Sequence, residues 1–102
     1  RLRPTEAAWS RLGDALMQKA RETMDLSYYG RAEGAYRKSL ALNPSYANAL
    51  VGIAWVLSGR HEFEQSIEWA NKALTVDPNR ADAYGLLGAA GNEDGVWKET
   101  GG

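Results

Sequence analysis

Lys38-Ser39-Leu40-Ala41-Leu42-Asn43-Pro44 returns in type as Lys72-Ala73-Leu74-Thr75-Val76-Asp77-Pro78. The shift is 34 residues, from Pro44 to Pro78. Along it Lys38 meets Lys72, Leu40 meets Leu74, Leu42 meets Val76 and Asn43 meets Asp77. Upstream, Tyr29 meets Phe63 and Ala32 meets Ser66. Downstream, Ala47 meets Ala81, Ala49 meets Ala83, Leu50 meets Tyr84, Ile53 meets Leu87 and Ala54 meets Gly88. Chance is a poor explanation for so many positions that keep their type. A fixed period of this length marks a stacked-repeat architecture.

The start of the chain is out of step. Trp9, Leu12, Gly13 and Leu16 match Leu50, Ile53, Ala54 and Leu57 at a shift of 41, and the shift is 34 again by Tyr29. Seven residues are therefore inserted between Leu16 and Tyr29. Seven residues are close to two helical turns, which nearly preserves a helix face. The spacing predicts a long first helix from about Thr5 to about Met24, in preference to a bulged loop around Met24–Ser27.

Each unit reads as two helices. Leu50, Ile53, Ala54 and Leu57 form one stripe at spacings of 3 and 4. Ser66, Ile67, Ala70, Ala73 and Leu74 form another, and the stretch Gly59 to Glu62 separates the two. Asn43-Pro44 and Asp77-Pro78 close the units, because proline disfavours helix at the residue before it. Ala, Leu, Lys, Glu and Arg dominate and β-branched runs are absent, so the fold class is all-α. A third unit opens with a helix from Ala81 to about Ala90. Trp97 then falls on Phe63 and Thr100 on Ser66 at the same shift, as if the next helix began and the chain stopped. Four glycines among the last twelve residues make that tail a poor helix by itself.

This pattern resembles the tetratricopeptide repeat (TPR), a 34-residue helix–turn–helix unit. Its Trp-x2-Leu-Gly-x2-Tyr signature begins as Trp9-Ser10-Arg11-Leu12-Gly13-Asp14-Ala15-Leu16, with Leu in the Tyr place. Its later Ala-x3-Phe…Pro part stands as Ala32-Glu33-Gly34-Ala35-Tyr36 and Pro44. In the second unit these places hold Leu50, Ile53, Ala54, Leu57, Ser66, Ala70 and Pro78. The insertion, Gly59 and His61 in the turn, and the short third unit depart from the family pattern. The resemblance implies one domain over residues 1–102, an α-solenoid of antiparallel helix pairs. Repeat 1 covers about 6–46, repeat 2 about 47–80, and a partial repeat 3 about 81–100, of which the first helix is formed.

The residues support that packing without the name. Small side chains at Gly13, Ala32, Ala54, Ser66, Ala73 and Gly88 allow helices to approach to about 8 Å. Trp9, Leu12, Leu16, Tyr36 and Leu40 are expected to fill the space between. Helix pairs of this kind cannot bury their faces alone, so neighbours stack and the first helices line a concave face.

Composition narrows the function. The chain has 102 residues, one domain's length, with 44% apolar and 25% charged residues. Twelve basic and thirteen acidic side chains give a net charge of −1. That balance argues against nucleic acid, whose binding needs many Lys/Arg–phosphate contacts, and against an electrostatic membrane role. Charge is uneven: residues 1–46 carry +3, while 47–78 and 79–102 each carry −2. The asymmetry could orient a partner or be incidental solvation. There is no cysteine, so disulfides, thiolate metal sites and cysteine nucleophiles are excluded, while no compartment is assigned by that absence. With no run of about 18 apolar residues, no transmembrane helix is expected, and a soluble intracellular setting is the expectation. The opening Arg1-Leu2-Arg3-Pro4 lacks an initiator Met, which predicts a processed or excised piece of a longer protein.

No catalytic constellation emerges, and no cofactor or metal is expected. His61 is the one imidazole, and it falls in a turn beside Glu62 and Glu64 with no serine implied as partner. Glu62, Glu64 and Glu68 read as a solvated helix start, where the helix dipole favours carboxylates. No phosphate-cradling glycine loop occurs.

The concave face is the candidate surface for a peptide or helix of a partner protein. Its positions are Ser10, Asp14, Met17 and Gln18 on the first helix; Asn48, Val51, Trp55 and Ser58 on the third; and Asp82, Gly85 and Ala89 on the fifth. Trp55 reads either as a binding anchor or as packing against Met17 and the added turns. Trp69 reads as packing. Asn48 could hold a peptide backbone, since its amide both donates and accepts. Some TPR domains clamp the C-terminal carboxylate of chaperones with basic side chains. The corresponding places here, Ser10, Asp14, Asn48, Gly52, Asp82 and Gly85, hold none and two are acidic, so that partner is disfavoured. The alternative function is self-association through Tyr84, Leu86 and Leu87, if no following helix covers them.

Overall fold

The computed structural model describes residues 3–94. They form five helices: α1 (Glu6–Thr23), α2 (Ser27–Leu42), α3 (Ala47–Gly59), α4 (Phe63–Val76) and α5 (Ala81–Asp94). The all-α expectation holds, with no strand among the described residues. None of the described helices is long and apolar enough to cross a membrane.

Local chemistry sets the helix ends. Thr5 caps α1, its hydroxyl accepting from the Ala8 N–H at 3.1 Å. Met24 ends the helix in the left-handed region at φ 59°, its N–H donating to the Ala20 carbonyl. The Asp25 carboxylate accepts from the Ser27 hydroxyl at 2.8 Å and from the Ser27 N–H at 3.0 Å, which starts α2. Those two bonds hold the Asp25 carboxyl below its ordinary pKa. The joints after α2 and α4 are near copies. Asn43 stands at φ −147°, ψ 96° and Asp77 at φ −140°, ψ 94°. Each precedes a proline, and each side-chain oxygen accepts from the N–H two residues on, in Ser45 and Asn79.

Each helix packs on the next, and α3 also touches both α1 and α5. Among the described residues α1 and α5 flank α3, α2 contacts α1 and α3, and α4 contacts α3 and α5. Helix α3 is central. Its sequence Ala-Asn-Ala-Leu-Val-Gly-Ile-Ala-Trp-Val-Leu-Ser-Gly has no charged residue, and eight of its positions are buried. A helix apolar all round belongs in a core. On one side Ile53, Val56 and Leu57 meet Met17, Ala32 and Tyr36. On the other Leu50, Val51 and Ala54 meet Ala70, Ala73, Ala83 and Leu87. Ser66 crosses between helices to donate to the Ala54 carbonyl at 2.8 Å, and Ser39 donates likewise to that of Glu6.

The insertion is divided. Helix α1 has 18 residues against 13 in α3, and α2 has 16 against 14 in α4. The turns Met24–Leu26 and Arg60–Glu62 are equally long. Five of the added residues therefore lengthen α1 and two lengthen α2, whereas the expectation put the extra length into the first helix. Both helices of the hairpin grow; Ala20 near the end of α1 is buried, while residues 21–27 at the tip are exposed.

Three expectations change. Leu12 does not fill a gap between helices but is 44% exposed, while its counterpart Ile53 is fully buried. Ile53 packs back onto α2, and no described helix precedes α1 to serve Leu12 in the same way. Gly88 is not a close-approach site: among the described residues a Cβ there would meet nothing within 4 Å. Helix α5 passes Ala90 and runs to Asp94, since a single Gly91 is tolerated inside a helix. Trp97, Thr100 and the end of partial repeat 3 lie outside the described residues.

Candidate functional site

Helices α1, α3 and α5 together carry a cleft of about 480 Å³. Its floor is α3, through Asn48, Val51, Gly52 and Trp55. One wall is α1, through Asp14 and Gln18, and the other is α5, through Asp82 and Leu86 with Arg80 just ahead of it. The wall residues recur at i, i+4, the spacing that keeps side chains on one helical face.

Tyr36 builds the first wall from behind. It is fully buried on α2, and its ring passes between Gly13 and Gly52. A Cβ on Gly13 would stand 2.6 Å from the ring, and one on Gly52 would overlap it more deeply. Glycine is therefore required at both places by space. The phenol emerges to donate to Asp14 Oδ1 at 2.5 Å. Burial, together with that carboxylate, raises the Tyr36 pKa well above its ordinary value, so the phenol stays a neutral donor.

Arg80 builds the second wall. Its Nε donates to Asp82 Oδ1 at 3.0 Å and its Nη2 to Oδ2 at 2.7 Å, a bidentate pair. Its Nη1 donates to Asn48 Oδ1 at 2.5 Å, which ties α5 to α3. Hydrogen bonding to Arg80 keeps the Asp82 carboxyl below its ordinary pKa against the opposing effect of burial. Asn48 Nδ2 donates to the Tyr46 hydroxyl at 3.2 Å. Much of the Asn48 amide is therefore committed inside the protein, which narrows its role toward a peptide backbone.

No protein-family model matches this chain, and no curated protein matches it. The TPR likeness rests on the residues quoted above and on nothing further.

The cleft brings together Asp14, Asn48, Val51, Trp55 and Asp82 from the expected face, along with Gln18. Two expected positions are corrected. Ser10 is buried, its hydroxyl without a hydrogen-bond partner among the described residues, and Met17 is 1% exposed in the core between α1, α2 and α3. On α1 the open face runs through Asp14 and Gln18, and the flanking residues turn inward toward α2 and α3. Gly85 and Ala89 are exposed but do not line the cleft. Ser58 is half-buried outside it. Trp55 is half-buried, serving both the core beside Met17 and the cleft floor.

The alternative surface is also redistributed. Leu87 is buried against α3 and α4, and Leu86 lines the cleft. Tyr84 alone of the three is exposed, its hydroxyl donating to the Pro78 carbonyl at 3.0 Å. Sequence reading missed Arg80 and gave Leu86 another role. The Arg80-Ala81-Asp82 spacing at a helix start was the available signal for the Arg80–Asp82 pair. Leu86 sits four residues after Asp82, on its face.

Elsewhere, Trp69 packs between cations, with Lys72 Nζ 4.0 Å and the Arg37 guanidinium 5.5 Å from its ring centroids. His61 is an exposed turn residue at φ 62°, its ring edge-on to Phe63 at 5.4 Å. Among the described residues no three His, Cys, Asp or Glu side chains gather as a metal site.

Proposed function

We propose that this chain is a non-catalytic TPR-type interaction module, two repeats and the first helix of a third stacked as a short solenoid. In this reading a peptide or helix of a partner protein docks in the cleft on α1, α3 and α5. One observation carries the proposal: three separate helices turn unlike side chains onto one open cleft with an apolar floor and a polar rim. Concave sites with a few placed polar groups are where ligands bind. Trp55 and Val51 supply apolar contact, and the exposed Gln18 supplies directional bonds at the edge.

The test is peptide-display selection run in parallel on the parent, Trp55→Ala and Gln18→Arg. Gln18 is exposed, so its substitution alters the cleft without touching the core. Circular dichroism checks that helicity is unchanged. Peptides enriched by the parent and lost from both variants support the cleft. Equal enrichment by all three proteins overturns it. Concentration-dependent mass that disappears in Tyr84→Glu would move the function to self-association instead.

A further inference from the structure

Among the described residues the cleft has three charged side chains, and two of them cancel. Arg80 and Asp82 form a bidentate pair, with the guanidinium further engaged by Asn48. Asp14, on the opposite wall, makes no salt bridge among the described residues. Its partner there is the neutral Tyr36 phenol, which occupies one carboxylate oxygen and leaves the charge uncompensated. Among the described residues the cleft therefore carries one net negative charge, on α1, facing an apolar floor made by Val51 and Trp55.

The charge is also held in place. The Tyr36 ring is fixed between Gly13 and Gly52, so the donor that orients Asp14 cannot swing away. A carboxylate oriented before binding loses less freedom when a partner arrives. We infer that the occupant of the cleft is a protein segment that places a lysine or arginine side chain on Asp14, with its aliphatic stem and an apolar neighbour on Trp55 and Val51. Long basic side chains suit such a surface, because their stems cover apolar area while the head stays polar. Acidic segments and free C-terminal carboxylates are disfavoured, since the cationic group in the cleft is already paired. This inference rests on the cleft reading above. Tyr36 acts as a positioning residue for Asp14.

The probe is a positional-scanning set of N-acetylated, C-amidated octapeptides, each position fixed in turn as Lys, Gln or Glu. Binding is measured on the parent, Asp14→Asn, Tyr36→Phe and Trp55→Ala. At one position, Lys pools should bind the parent about threefold to fivefold more tightly than Gln pools, the size of an ion pair at a partly exposed site. The Lys-over-Gln ratio should fall to about one in Asp14→Asn and to an intermediate value in Tyr36→Phe, which keeps the charge but frees its orientation. Binding that Trp55→Ala abolishes, but without a Lys preference, would overturn the basic anchor and leave the cleft in place. A Lys preference that survives Asp14→Asn would do the same. Absence of binding, or binding indifferent to Trp55→Ala, would overturn the cleft and the anchor together.

Discussion

The two helical hairpins of this protein share one plan and differ in reach. Both reverse through a three-residue turn containing one non-glycine residue in the left-handed region, Met24 at φ 59° and His61 at φ 62°. Both end on an extended residue before proline. The α1–α2 hairpin is longer on both arms, and its tip exposes Met24 at 80% and Leu26 at 70%. The α3–α4 hairpin is short, and the end of α3 just before its exposed bend is covered. A Cβ on Gly59 would come within 2.9 Å of the Tyr29 ring, and Arg60 pairs with Glu33 at 2.8 Å. The extended start of α2 thus lies over the end of α3. A helix with neighbours on both sides loses its exposed apolar face, while one at the edge keeps it.

The sharpest test of that contrast is the matched pair Ile53→Ala and Leu12→Ala. Ile53 is fully buried and should lose about 2–5 kcal/mol in urea unfolding. Leu12, at 44% exposure, should lose about 1 kcal/mol or less. Equal losses would mean that the two positions are not packed as described. Next is the pair of helix glycines Gly52 and Gly34. Gly52→Ala drives a methyl into the Tyr36 ring, which is held from the other side by Gly13. Overpacking of this kind costs about 1–3 kcal/mol, more than the helix-propensity gain of about 1 kcal/mol. Gly34→Ala meets nothing within 4 Å and should stabilise by about 0.5–1 kcal/mol. A stabilising Gly52→Ala would contradict the glycine window.

Met24→Gly and His61→Gly come third. Each relieves a left-handed residue whose strain is about 1–2 kcal/mol, less the entropy glycine adds to the unfolded chain. A small rise in thermal midpoint is expected from each. The smallest effect concerns Glu33, which joins the hairpins through Arg60 and also meets Arg37 at 2.9 Å. Burial pushes its pKa up, but the two arginines outweigh burial and leave it below the ordinary value. A carboxyl depressed on folding stabilises above its unfolded pKa, about 4.3, and loses that contribution as pH falls through the folded value. Glu33→Gln should therefore be less stable than the parent at pH 7, and the gap should close below about pH 4. A constant gap would remove the ion pairs from the account of how the hairpins join.

The helix ends were legible because their local chemistry is alike: Asn43-Pro44 and Asp77-Pro78, 34 residues apart, each follow the last residue of a helix, and the small residues Ala32, Ser66 and Ala73 are all buried. The cleft was legible where it obeys helix geometry, at Asp14, Asn48, Val51, Trp55 and Asp82. It was not legible where neighbours decide. Ser10 and Met17 lie beside the open face of α1 by sequence, but helix crossing turns them into the core. Leu12 has a core residue's character and lacks a preceding helix among those described. The clasp of Arg80 on Asn48 spans 32 residues of chain, and local patterning carries no trace of it.

The most direct test of the proposed cleft is amide and indole chemical-shift mapping on 15N-labelled protein, titrated with the best display-selected peptide. Shifts concentrated at Asp14, Gln18, Asn48, Gly52, Leu86 and the Trp55 indole N–H are the expected result. Shifts concentrated around Tyr84, or around Trp69 and Lys72 on α4, with the Trp55 indole unmoved, would contradict it.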